Sequence, residues 1–156
     1  MLSKLSRWLT FLLAILYTVL GGLLYSLPET LAPVFAWTVT PFMTMTIGGW
    51  SLGNAWLAWV TARRWQWNLV FSTLLYLWLF GIGELWGLFN FRDKLVLAHP
   101  IAWLYFITLI VNALAAVLGF IDWLRIRPSL SSEGNGLTGS QYTALIAFIV
   151  FVSFLG

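Results

Sequence analysis

The sequence has no cysteine, a single histidine (His99), and few charges: eight Lys and Arg and five Asp and Glu in 156 residues. Without cysteine, this chain can form no disulfide, thiolate metal site, iron–sulfur cluster, c-type haem attachment or cysteine nucleophile. One histidine cannot supply bis-histidine haem ligation alone, and no H-E-x-x-H zinc site occurs. No internal repeat is evident, so the inverted-repeat architecture of many carriers is not indicated. The shortage of charge is itself informative. Soluble domains are about 25% charged and about 45–50% apolar, whereas this chain is 8% charged and 61% hydrophobic. A soluble fold of this length would lack the polar groups to cover its surface, and lipid removes that demand. The net charge of +3 does not point to nucleic acid, because the basic residues come in pairs between apolar runs rather than in one patch.

What is present is a series of long apolar runs. Crossing a hydrocarbon core takes roughly 20 apolar residues as helix. The runs predict an all-α integral membrane protein, a small polytopic helical bundle of about five transmembrane helices, at about 8–26, 41–62, 67–89, 101–124 and 140–155. Residues 1–156 form one domain on this reading. The fifth run is short: at about 1.5 Å per residue it spans about 24 Å, which calls for a thinned bilayer or support from neighbouring helices. The first run, behind Lys4 and Arg7, is longer than a signal-peptide core and is followed by no A-x-A-like site, so it reads as a signal-anchor. Residues 27–40, with Pro28, Glu29 and Pro33, are expected to lie along the outer membrane surface with a short helical turn. Residues 126–139, rich in Ser and Gly, are expected to be a flexible cytoplasmic loop.

Orientation follows from the basic residues. With alternating helices, Lys4, Arg7, Arg63, Arg64, Arg125 and Arg127 fall on one side and only Arg92 and Lys94 on the other. The positive-inside rule then gives N-in, C-out, in a cell inner (plasma) membrane. Trp8, Trp59, Trp65, Trp67 and Trp123 cluster at the inner interface and Trp37, Trp86 and Trp103 at the outer one, where indole satisfies both its apolar face and its N–H. Trp50, Trp56 and Trp78 lie deeper and call for packing or partners.

In lipid, helices approach closely through small residues. The second span carries a stripe at helical spacing, Thr44, Gly48, Ser51, Ala55, Ala58 and Ala62, beside Gly49 and Gly53. The fourth carries Thr108, Asn112, Ala115, Gly119 and Asp122. These faces are expected to meet each other or to pack against the third span, or alternatively to receive another protein subunit.

Four polar residues stand out within the spans. Glu84 lies in GIGELWG, among Gly81, Gly83 and Gly87. A charge at the centre of a membrane helix costs roughly 2.5–3.5 kcal/mol on insertion scales, so Glu84 calls for protonation, a partner (Arg92, Asn54 or Asn112) or water. Asn112 and Asn54 are expected to hydrogen-bond across helices, and Asp122 to pair with Arg125 one turn on. His99, before Pro100 and near Trp103, is either an interfacial residue at a helix start or a ligand to a chlorin or haem.

Three functions compete on these residues. The first is a non-catalytic accessory or scaffold subunit of a larger membrane complex, packing through the small-residue faces. The second is a small proton-coupled or solute transporter using Glu84, with Asn54 and Asn112 along its path. The third is a pigment, quinone or haem-binding subunit of an energy-transducing membrane using His99. Bound lipid is expected in each case. No catalytic constellation emerges, since convergent groups are needed for hydrolysis and His99, Glu84 and Asp122 lie apart in the predicted topology.

Overall fold

The computed structural model describes residues 2–127, apart from the side chains of Asn68 and Leu69. The predicted fifth span (140–155) and nearly all of the 126–139 loop lie outside the described residues. Within them the chain is all-helical. Helix α1 is Lys4–Ser26, α2 the single turn Pro28–Leu31, α3 Pro41–Arg63, α4 Trp67–Asn90 and α5 Pro100–Ile126. Three of these are long and apolar enough to cross a membrane: Lys4–Ser26, Val70–Asn90 (within α4) and Pro100–Ile126. Helix α3 has the same length as α1, 23 residues, but its small and hydroxyl residues make it less apolar.

Local chemistry sets the helix starts. Ser3 and Thr40 accept the backbone N–H of Ser6 and Met43 at the starts of α1 and α3, each satisfying one of the otherwise orphaned first-turn donors. Pro41 and Pro100 occupy first-turn positions, where no N–H is needed. His99 caps α5: its Nδ1 accepts the Ile101 N–H at 3.3 Å.

Helix α1 is the organiser. Its buried residues Leu13, Ala14, Tyr17, Leu20, Gly21 and Leu24 recur at steps of three and four, forming one seam. This seam packs on α3 and on α5. The stripe on α3 is therefore filled by α1, not by α5 or principally by α4 as its spacing had suggested. The reason is backbone proximity through glycines on both helices. A Cβ placed on Gly48 would lie 2.5 Å from the Tyr25 backbone nitrogen, and one on Gly21 would lie 2.8 Å from that of Leu52. The expectation missed α1 because its only glycines are adjacent, Gly21 and Gly22, and one of them suffices. The α5 stripe packs against α4, as one of the alternatives held, and also against α1. There Trp78, 5% exposed, lies against Gly119 and joins a cluster with Ala116, Leu74 and Val70.

Hydroxyls on the stripes do not leave unsatisfied groups. Thr44, Ser51 and Thr108 each donate to the carbonyl one turn earlier, from Thr40, Ile47 and Leu104. Thr44, Gly48, Ser51, Ala55, Thr108, Ala115 and Gly119 are all buried by the chain's own helices.

The alternation of helices gathers six of the chain's eight basic residues. At one end, Trp65 Nε1 donates to the Leu2 carbonyl at 3.3 Å and Arg7 Nε to that of Ala62 at 2.8 Å. Lys4, Arg7, Arg63, Arg64, Arg125 and Arg127 belong to this end. Asp122 is there too, but it does not pair with Arg125: the sole ion pair within 4 Å among the described residues is Arg92–Asp93 at 3.8 Å. Asp122 instead takes the Ser3 N–H at 3.1 Å and the hydroxyls of Ser3 and Ser6. Several donors on one carboxylate make a stronger tie than a single solvent-exposed ion pair, and this tie clips the start of α1 to the end of α5.

At the opposite end, residues 27–40 do more than lie flat. After α2 and a tight turn at Ala32–Val34, Phe35 (3% exposed) and Ala36 (fully buried) enter a core with Leu24, Leu88, Ile101 and Tyr105. Val96 N–H donates to the Ala36 carbonyl at 2.8 Å, stitching this segment to the α4–α5 connection. The exterior is strongly apolar, with Trp8, Trp50, Trp56, Trp86 and Phe42 each more than three-fifths exposed. Trp50 and Trp56, which the sequence placed at depth, face outward, whereas Trp78 faces the core. Such a surface is compatible with a membrane location.

Candidate functional site

The interior between the basic end and the Phe35 core is not purely apolar. Tyr17, on the α1 seam, directs its hydroxyl toward α4, where it donates to Glu84 Oε2 at 3.1 Å. Asn112 of α5, fully buried, donates through Nδ2 to the same Tyr17 oxygen at 2.9 Å. Asn112–Tyr17–Glu84 thus forms one directed chain across three helices. On its other flank Tyr76 donates to Asn54 Oδ1 at 3.1 Å, joining α4 to α3.

The glycines around Glu84 have different purposes. A Cβ on Gly81 would lie 2.6 Å from the Asn112 side chain, so Gly81 is what admits that amide. Gly83 and Gly87 face open space, with nothing within 4 Å of an added Cβ. They line two cavities that meet at Glu84 and Tyr105. The first, of about 380 Å³, lies between α3 and α4, with Ile47, Trp50, Ser51 and Asn54 on one wall and Phe80, Gly83 and Glu84 on the other. The second, of about 260 Å³, runs from Glu84 past Gly87 to Trp37 and Lys94 at the end opposite the basic one. Helix α3 leans mainly on α1 and only lightly on α4, and the exposed Trp50 borders the first cavity between α3 and α4.

Among the described residues, Asn112 Oδ1 has no hydrogen-bond partner, and Asn54 Nδ2 has none beyond its approach to the Tyr17 hydroxyl. Asn54 is 2% exposed and lines the first cavity.

The structure thus brings Glu84, Asn54 and Asn112 into one centre, but Arg92 is not part of it: that guanidinium pairs with Asp93 and lies 5.4 Å over the Phe89 ring. Asp122 belongs to the distant α1–α5 clip. His99 lies at the Trp37 end, its Nδ1 engaged as a cap; it borders a separate cavity of about 320 Å³ with Phe35 and Trp37. Among the described residues, no three His, Asp or Glu side chains converge as a metal site would require. Tyr17, Tyr76 and Tyr105 were not picked out from the sequence. Tyr17 carried a usable signal, since it lies mid-run in the first span on the face of Leu13, Leu20 and Leu24. Tyr105 could have been read as core, one turn before Leu109.

Comparison with family models, with curated proteins and with solved structures gives no match to this chain.

Proposed function

We propose that the protein is a small membrane carrier in which the Glu84 carboxyl takes up and releases a proton, or a ligand in its place. The observation that carries this reading is the position of Glu84, hydrogen-bonded from one side by Tyr17 and open on two others to cavities. A carboxyl retained only for structure would be enclosed by its partners, because insertion of a charge at membrane depth is costly. Glu84 lies six residues before the end of α4, about 9 Å along the axis, which is within reach of the aqueous face through the Lys94 cavity.

The accompanying topology is five spans with the N-terminus cytoplasmic, supported by the six basic residues at one end of the bundle. The absence of native cysteine makes that orientation directly measurable. In right-side-out membranes, Asp93→Cys is expected to react with an impermeant maleimide and Arg64→Cys to react only after the membrane is opened. The reverse pattern contradicts the orientation.

The accessory-subunit reading draws on the small-residue faces, and those are filled by α1, α4 and α5 of this chain. It retains the exposed aromatic exterior, which lipid serves equally well.

The carrier reading is tested with dicyclohexylcarbodiimide, an apolar reagent that attacks protonated carboxyls from the lipid phase. The expected product is a single adduct mapping to Glu84, formed faster at lower pH and absent from Glu84→Gln. An unlabelled Glu84 in folded protein counts against an accessible, titrating carboxyl.

A further inference from the structure

Resting on the carrier reading, we infer that the ligand class of the α3–α4 cavity is a lipophilic organic cation, bound in exchange for the Glu84 proton and entering from the flank of the bundle. Three features of the cavity lead there.

The walls are aromatic and apolar: Phe80, Tyr105 and Ile47 line the cavity with its single carboxyl, and the outward-facing Trp50 borders it. Ring faces carry negative quadrupole potential and attract ammonium or phosphonium groups, most strongly when desolvated. Together with a carboxylate they favour positive charge carried on an apolar body over a small hydrated ion, which would lose its water to walls that offer few oxygens. Trp50, which borders this α3–α4 cavity, is exposed on the apolar exterior, so an amphipathic cation is expected to reach the cavity from lipid. Finally, the Asn54 side chain, 2% exposed and set between the Tyr76 and Tyr17 hydroxyls, places an amide on the α3 wall opposite Glu84. A ligand that also carries a hydroxyl or carbonyl oxygen near its cationic nitrogen satisfies both groups together.

Charge balance sets the stoichiometry: one monovalent cation enters as one proton leaves the Glu84 carboxyl. Among the described residues, the other titratable groups around Glu84 are Tyr17 from α1, Tyr76 from α4, Tyr105 from α5 and Lys94 from the α4–α5 connection; α3 contributes only neutral Ser51 and Asn54. None of the phenols supplies a cation. Lys94, in the second cavity, holds its amine 5.6 Å from the Phe91 ring and forms no ion pair with Glu84 within 4 Å. Glu84 therefore keeps an unneutralised charge for the ligand once its proton is gone.

The test is equilibrium binding to the full-length protein in zwitterionic nanodiscs, with tetraphenylphosphonium as a bare cation and propranolol as an aryloxy amino alcohol. Wild type is expected to bind both saturably. Binding is expected to weaken as pH falls, by up to tenfold per unit once protons outcompete the cation. Glu84→Gln should bind at least about tenfold more weakly, and Glu84→Asp should restore part of the loss. Asn54→Leu, which also removes the acceptor of the Tyr76 hydroxyl, should weaken propranolol several-fold more than tetraphenylphosphonium, a difference that a merely structural role of Asn54 would not produce. Equal, pH-independent uptake by wild type and Glu84→Gln overturns the inference, and so does an Asn54→Leu effect of the same size on both probes. Carbodiimide labelling of Glu84 without saturable cation binding overturns the ligand class alone; absence of labelling overturns the carrier reading beneath it.

Discussion

Gly48→Ala is expected to destabilise the bundle by about 3 kcal/mol, whereas Gly53→Ala on the same helix is expected to stabilise it by up to about 1 kcal/mol. The opposite signs follow from what each added methyl meets. At Gly48 it would lie 2.5 Å from the Tyr25 nitrogen and 2.9 Å from the Leu24 carbonyl carbon, both backbone atoms that no rotamer change can move. Helix α1 would have to shift bodily, opening the seam that runs from Leu13 to Leu24 and disturbing Tyr17 in its middle. At Gly53 nothing lies within 4 Å, so the change gains helix propensity and encounters no obstruction. Overpacking a fitted interface costs typically 1–3 kcal/mol and more where neighbours are rigid, and small domains hold only about 5–15 kcal/mol in all. Reversible unfolding in detergent, read by circular dichroism, checks both. Equal effects at the two glycines would mean that α1 and α3 do not approach as described.

Glu84→Gln is expected to abolish proton-coupled exchange in proteoliposomes while leaving unfolding stability within about 1 kcal/mol of wild type. The amide keeps the length of the side chain and an oxygen to accept the Tyr17 hydroxyl, so the Asn112–Tyr17 chain still ends on a partner. What it loses is the exchangeable proton. Glu84→Leu separates the two contributions: it removes the acceptor as well and leaves the Tyr17 proton unpaired, at about 1–3 kcal/mol. A Glu84→Gln protein that retains full exchange would assign Glu84 to structure.

Helix positions were legible because they depend on a local property, apolar length. Thus Pro41, Trp67 and Pro100 begin helices within a residue of where the runs start, although α1 begins at Lys4, four residues ahead of the run from 8. The stripes on α3 and α5 were legible as buried faces for the same reason. Their partners were not: which helix fills a stripe depends on three-dimensional closure, and α1 advertised only Gly21 and Gly22. Glu84, Asn54 and Asn112 could be flagged because polar groups in an apolar run are costly anywhere. Their convergence on Tyr17 could not, since tyrosine in an apolar run reads as ordinary core. Asp122 shows the converse error. Helical spacing favoured Arg125, but the start of α1, distant in sequence, brought Ser3 and Ser6 to the carboxylate.

On the carrier reading, Glu84 is a titrating carboxyl within the bundle. Infrared difference spectroscopy of the protein in lipid, stepped in pH, tests it most directly. A protonated-carboxyl C=O band is expected that grows as pH falls, shifts with deuteration, disappears in Glu84→Gln and shifts in frequency in Tyr17→Phe, where its hydrogen bond is lost. A spectrum in which wild type and Glu84→Gln are superimposable across the pH range would contradict it.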